Sequence, residues 1–127
     1  MDGLKVGMTH TLEWVVEEKL TTLRGGYRVF STPSMTLFVE MACHHLVLPY
    51  LKPGQGQVGL VVHIRHLAPT PMGKKVRAEV ELTGIDRRRL SFKVKVHDDV
   101  EPVGEAEHER FVIDEDKYIE RLRKKIG

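Results

Sequence analysis

The carboxylate hardest to explain by packing is Glu40. It stands inside Met35-Thr36-Leu37-Phe38-Val39-Glu40-Met41-Ala42-Cys43, a run that is otherwise nearly apolar. On a helix it forms an i, i+4, i+8 ridge with Thr36 and His44. Two readings stand: a solvated stripe on an otherwise buried helix, or a carboxylate facing a cleft. In a partly apolar cleft a carboxylate has a raised pKa and can act as base or nucleophile.

His66 is a second candidate. Strict alternation over residues 57–67 puts Val58, Leu60, Val62, Ile64 and His66 on one face, with His63 and Arg65 on the other. A histidine ending an apolar face is either a rim residue or a proton carrier with a pKa near neutrality. In the last extended segment Glu105, Glu107 and Glu109 alternate with His108 and Arg110, which places those two inward. An inward guanidinium needs a carboxylate, carbonyls or a ligand. A structural pair in a dimer interface and a ligand contact both satisfy it.

Cys43 lies mid-helix among apolar residues, where a thiol is inert core. His44-His45 diverge by about 100° on a helix, and His63 and His66 point to opposite faces of a strand, so no metal site is expected.

These residues need elements to hold them. Residues 9–16 read as a first strand, and Gly25-Gly26 as a turn before a short strand from Tyr27 to Phe30. The clearest helix begins at Thr32-Pro33, with Thr32 as N-cap and proline at the first helical position, and runs to about Leu51. It stops at Lys52-Pro53-Gly54, with Pro49 expected to bend or loosen its last turn, and its composition leaves almost no polar face. Residues 57–67, 74–83, 89–97 and 103–113 are strands. In the middle pair Val76, Ala78, Val80 and Leu82, and then Leu90, Phe92, Val94 and Val96, alternate with charged neighbours. That is the pattern of antiparallel strands with one wet face. Asp114 caps a charged C-terminal helix over 115–126. A long buried helix wrapped by a curved antiparallel sheet is the α+β arrangement of the hot-dog fold.

The chain has 127 residues, which suits a single domain over 1–127 with one core. Its net charge of +2, with acids and bases interspersed, argues against a nucleic-acid binder. No stretch approaches the ~20 apolar residues of a membrane span, and the N-terminus lacks a signal peptide's apolar run. The single cysteine excludes an internal disulfide and fits a reducing compartment, so a cytoplasmic location is expected.

The chain resembles the fluoroacetyl-CoA thioesterase family of hot-dog proteins. The matching residues are Val-Glu-Met-Ala-Cys over 39–43, Pro-Tyr-Leu-Lys-Pro-Gly-Gln-Gly-Gln-Val-Gly over 49–59, His66-x-Ala-x-Thr-Pro-x-Gly73, Arg88-Arg89-Leu90-Ser91, His97-Asp98 and His108-Glu109-Arg110. The resemblance implies a catalytic group of a hydroxyl at the start of the long helix, a glutamate two turns on and a histidine on the next strand: Thr32, Glu40 and His66. It implies substrate contacts at Gly59 and Arg110, a homodimer, and an acyl-CoA thioester as substrate, with coenzyme A part of that substrate and no further cofactor. It departs at one place. The segment between the first strand and the helix is short here, where the namesake enzyme has a longer, Phe-bearing insertion over the acyl pocket. Leu20 to Ser31 must cover that pocket with Tyr27 and Phe30 as the only aromatics, which argues against fluoroacetyl selectivity.

On this reading the helix N-terminus offers N–H groups and a positive dipole end to an oxyanion, Gly59 N–H is a second donor, Glu40 activates water or attacks, and His66 moves a proton. Thr32 orients Glu40 or His66, or is only the N-cap. Arg87, Arg88, Arg89, Lys74 and Lys75 are candidates for the CoA phosphates. Two alternatives share the fold: a non-catalytic acyl-CoA-binding module, in which Glu40 and His66 only line a pocket, and an acyl-CoA hydratase. The hydratase would need an Asp/His pair on a longer hydration motif that the sequence lacks.

Overall fold

The structure is a computed structural model and describes residues 2–127. Strand β1 (Thr9–Val15) leads through a 3₁₀ turn into a short hairpin, β2 (Thr21–Arg24) and β3 (Tyr27–Phe30). Helix α1 (Thr32–Val47) follows and ends in a second 3₁₀ turn, Leu48–Tyr50. Then come four long strands, β4 (Gln55–His66), β5 (Lys75–Asp86), β6 (Arg89–His97) and β7 (Pro102–Asp114), and helix α2 (Glu115–Ile126).

The large sheet runs β1-β5-β6-β7-β4, antiparallel throughout. Its inner face carries the alternating residues expected from the sequence: Val76, Ala78, Val80 and Leu82 of β5, and Leu90, Phe92, Val94 and Val96 of β6, all buried. Against them α1 lays Met35, Phe38, Val39, Ala42, Cys43, Leu46 and Val47. Trp14 of β1 packs on Phe38 with ring centroids 4.8 Å apart.

The cover of α1 is incomplete. Leu37 is 47% exposed and Leu48 51%. They border a stripe of half-buried Thr36, Glu40, Met41 and His44. The neighbouring edge of the sheet is β4, whose Leu60 and Val61 are also exposed.

Three local features differ from expectation. The N-cap of α1 is Ser31, whose Oγ accepts from Ser34 N–H at 3.2 Å, so Thr32 is the first helical residue and Pro33 the second. Regular α-helix stops at Val47 because Pro49 cannot donate to the ladder, and the chain tightens into the 3₁₀ turn.

The third difference is in β4, which is bulged. Gly59 faces Arg110, Val61 faces Glu109, and Leu60 has no partner between them. An extra residue reverses the inward and outward sets on either side of it. Val62, Ile64 and His66 point inward as expected, but before the bulge the inward residues are Gln57 and Gly59, not Val58 and Leu60. The small hairpin is tight: Gly25 and Gly26 both have positive φ, +58° and +83°, which a two-residue hairpin loop demands.

Candidate active site

Capping by Ser31 leaves the Thr32 hydroxyl unoccupied by the helix. It lies 2.9 Å from His66 Nδ1. His66 reaches this position as the last residue of β4, opposite Gly104 of β7. That glycine allows a close approach: a methyl there would lie 2.5 Å from Met35 Sδ and 3.2 Å from the Arg65 carbonyl. The bare backbone lets the first turn of α1 settle against the end of β4. The loop after His66 is pinned by Leu67 N–H on the Val103 carbonyl, 2.8 Å, and by the buried Thr70 hydroxyl on Asp98 Oδ2, 2.9 Å. Burial lowers the pKa of His66 below its ordinary value, against a backbone hydrogen bond at Ala68 that raises it. The imidazole is therefore neutral near pH 7 and can accept a proton.

The pair lines an open cleft of about 610 Å³, walled by the β2–β3 hairpin, the start of α1 and the loop after β4. A separate groove of about 470 Å³ lies among charged side chains, Arg65, Lys93, Lys95, Glu105 and Glu107, on the wet face of the sheet, away from the pair.

A second cluster forms where α1 crosses the bulge. A methyl on Gly59 would meet Glu40 Oε1 at 2.9 Å, His108 Cε1 at 3.4 Å and Arg110 Nη1 at 3.7 Å. The glycine thus leaves a bare backbone beneath a carboxylate and a guanidinium. Arg110 is only 6% exposed. Its Nε donates to Gln57 Oε1 at 2.7 Å, and Gln57 Nε2 donates to the His44 carbonyl at 3.0 Å. His108 donates from Nδ1 to the Val61 carbonyl at 2.7 Å, which leaves Nε2 to accept from Arg110 Nη1 at 3.2 Å. Burial lowers the pKa of His108, with the Val61 bond opposing and the Arg110 charge adding to it, so this neutral tautomer is fixed. Among the described residues Arg110 makes no ion pair. Burial pulls its pKa down, while Cys43 and the Glu40 carboxylate pull it back. A buried cation whose hydrogen-bond partners are neutral, with one carboxylate nearby but not paired to it, can receive a partly negative ligand oxygen.

Sequence reading placed His108 and Arg110 inward but missed their roles as a unit. Gln57 was hidden altogether, because strict alternation pointed it outward. Cys43 is buried in the core, and burial pushes its thiol up to about 12. The expected oxyanion donors at the helix N-terminus are mostly taken. Ser34 N–H serves Ser31 Oγ, Met35 N–H serves the Ser31 carbonyl, and Pro33 has none. No group of three or more His, Cys, Asp or Glu side chains converges to hold a metal among the described residues.

The structure thus joins Thr32 to His66, and Glu40 to Gly59 and Arg110, but keeps the two groups apart. Eight residues of helix separate Thr32 from Glu40, about 12 Å along the axis.

The fold and the two clusters define a class. The structure overlays a thioesterase-superfamily protein of Thermus thermophilus with a TM-score of 0.90 over 98% of this chain and 94% of that one, at 23% identity. It overlays a hot-dog-like protein of Thermanaerovibrio acidaminovorans with a TM-score of 0.89 over 96% of this chain and 93% of that one, at 21% identity. The architecture is the hot-dog fold. Within it the resemblance is narrower. The family described as fluoroacetyl-CoA-specific thioesterase matches residues 5–116. A fluoroacetyl-CoA thioesterase of Streptantibioticus cattleyicolor is 37% identical over 134 residues, covering 98% of this chain and 96% of that protein. A solved structure of the fluoroacetyl-CoA thioesterase FlK superposes with a TM-score of 0.91 at 35% identity, covering 98% of both chains. The chain belongs to the fluoroacetyl-CoA-specific thioesterase family, and so to the hot-dog acyl-CoA thioesterases.

Proposed function

We propose that this chain hydrolyses a small acyl-CoA thioester to free acid and CoA, at a site assembled from two protomers of a C2 dimer. The observation that carries the reading is the separation of the two clusters. Thr32 and His66 hold each other at 2.9 Å, while the only acid on the helix stripe sits beside Gly59 and Arg110. A two-fold copy with its α1 antiparallel would bring the partner's carboxylate to the first protomer's histidine. The uncovered Leu37 and Leu48 of α1 and the unpaired β4 edge with Leu60 and Val61 support such a copy, since a long apolar edge is otherwise an aggregation hazard. Each chain acts as a single domain in the cytoplasm, where its one thiol stays reduced.

In this site Arg110 donates to the thioester carbonyl oxygen and holds the charge that develops there. Gly59 lets the acyl group lie against the backbone. Glu40 takes a proton from water as the water oxygen bonds to the carbonyl carbon. The tetrahedral intermediate then collapses, the C–S bond breaks, and the proton passes through His66 to the departing CoA sulfur. Thr32 fixes the plane of the imidazole. Direct attack by Glu40 would pass through an anhydride and reach the same products. The short β2–β3 hairpin, which turns Tyr27 outward at 76% exposure, leaves the cleft without an aromatic lid and supports a non-fluorinated acyl group.

The test is thiol release from a panel of short acyl-CoAs. The wild type should turn over, and Glu40→Gln, folded by circular dichroism, should lose at least about a hundredfold in kcat. Near-normal turnover by that variant would refute the assignment.

A further inference from the structure

We propose that Arg24 binds a carboxylate at the far end of the acyl group, which makes the preferred substrate the CoA monothioester of a short dicarboxylic acid. This rests on the thioesterase reading. The cleft beside Thr32 and His66 has apolar lining residues that include Val29 and Phe30. Its hairpin wall is polar: Thr22 and Arg24 of β2 line it. The tight Gly25-Gly26 turn holds that wall close to the helix start, because two residues are too few to reach out over the cleft as a lid.

The two arginines of the hairpin differ in how they are held. Arg28 is neutralised, with its Nε 3.3 Å from Glu18 Oε1 and its Nη1 bonding Thr21 Oγ1. Arg24 has no carboxylate partner among the described residues. Its Nη1 bonds the Leu23 carbonyl at 2.7 Å and Thr22 Oγ1 at 3.4 Å. Those bonds tether one nitrogen and leave the Nε–Nη2 edge unpaired. That edge is the fork that receives a carboxylate with two parallel hydrogen bonds. Among the described residues Arg24 is the only cationic side chain lining this cleft apart from His66, which is neutral near pH 7. With a fluorinated or purely aliphatic acyl group the exposed Arg24 guanidinium would keep only water on that edge.

The experiment compares malonyl- and succinyl-CoA with propionyl- and butyryl-CoA, which match them in chain length. The readouts are kcat/KM and, by calorimetry, the Kd of the non-hydrolysable thioether analogues. For the wild type the ratio of diacid to neutral acyl should favour the diacid. Arg24→Gln, which keeps length and removes charge, should lower that ratio by at least about tenfold, and Arg24→Lys should recover part of it. An unchanged ratio overturns the proposal. So does an equal loss on every CoA thioester that disappears with pantetheine thioesters, because Arg24 would then serve the CoA phosphates. A wild type that releases no thiol from any thioester sinks the thioesterase reading instead, and the analogue affinities still decide what Arg24 binds.

Discussion

Thr32 Oγ1 and His66 Nδ1 lie 2.9 Å apart although 34 residues separate them in the chain. The contact exists because the helix is capped one residue earlier. Ser31 satisfies the first turn, and the threonine hydroxyl is left to the strand end. Cap and site are therefore separable by mutation. Ser31→Ala should cost about 1 kcal/mol of stability with a modest effect on rate. Thr32→Ala should leave the thermal midpoint nearly unchanged and lower kcat by about tenfold or more. Thermal melts and steady-state kinetics on both variants check this, and the reverse pattern would return Thr32 to the role of a cap.

Gly104 should accept a side chain only at a cost. Its added methyl would overlap Met35 Sδ and crowd the Arg65 carbonyl. Met35 can rotate in part, so Gly104→Ala should cost about 1–3 kcal/mol rather than abolish folding. Because Met35 lies one turn from Thr32, kcat should fall as well. A Gly104→Ala protein with wild-type melting and rate would mean that the first turn of α1 is free to shift.

Arg110 should behave as a residue kept for its ligand. It is buried with Gln57 and His108, both neutral, as its hydrogen-bond partners. Replacing it with Met removes the desolvation of a charge and fills the space, so stability should hold or rise. The lost charged donor should lower kcat/KM by about tenfold to a hundredfold. If Arg110→Met unfolds the protein while Arg110→Lys retains full activity, Arg110 is structural.

Acid should stop the enzyme and then weaken the fold. Burial holds the pKa of His66 below 6.5, so the rate should fall as pH drops through a midpoint under that value, and any residual rate of His66→Ala should lack that limb. His108 is also lowered by burial. Below pH 6.5 the unfolded chain binds a proton at this position that the folded chain resists. Unfolding is favoured as pH falls, and the stabilisation is complete only above 6.5. Thermal midpoints between pH 5 and 8 should rise with pH over the lower part of that range. A flat profile would contradict the buried neutral tautomer.

Much of this arrangement is legible in the chain. The alternation in β5 and β6 fixes the inner face of the sheet, and the apolar run around Glu40 fixes the buried helix. Thr32 lies against His66, and Glu40 lies beside Gly59 and Arg110. What was not legible came from features without a compositional signature. The bulge at Leu60 shifts the pattern by one residue, and apolar residues on both sides of it conceal the shift. That hid Gln57, and with it the reason Arg110 can be buried. Ser31 and Thr32 are both good caps, so type alone could not say which hydroxyl was free. The hairpin's first strand, Thr21–Arg24, is four residues long, too short for a period to show.

The central claim is that each site draws His66 from one chain and Glu40 from the other, and complementation tests it most directly. Glu40→Gln and His66→Ala, each inactive alone, are mixed in equal amounts, unfolded, refolded and assayed for thiol release. Half the dimers should be mixed, each with one intact site, so activity should return to about a quarter of wild type. Mixed dimers that stay inactive would show that each site takes both residues from a single chain, and an active monomer would remove the dimer altogether.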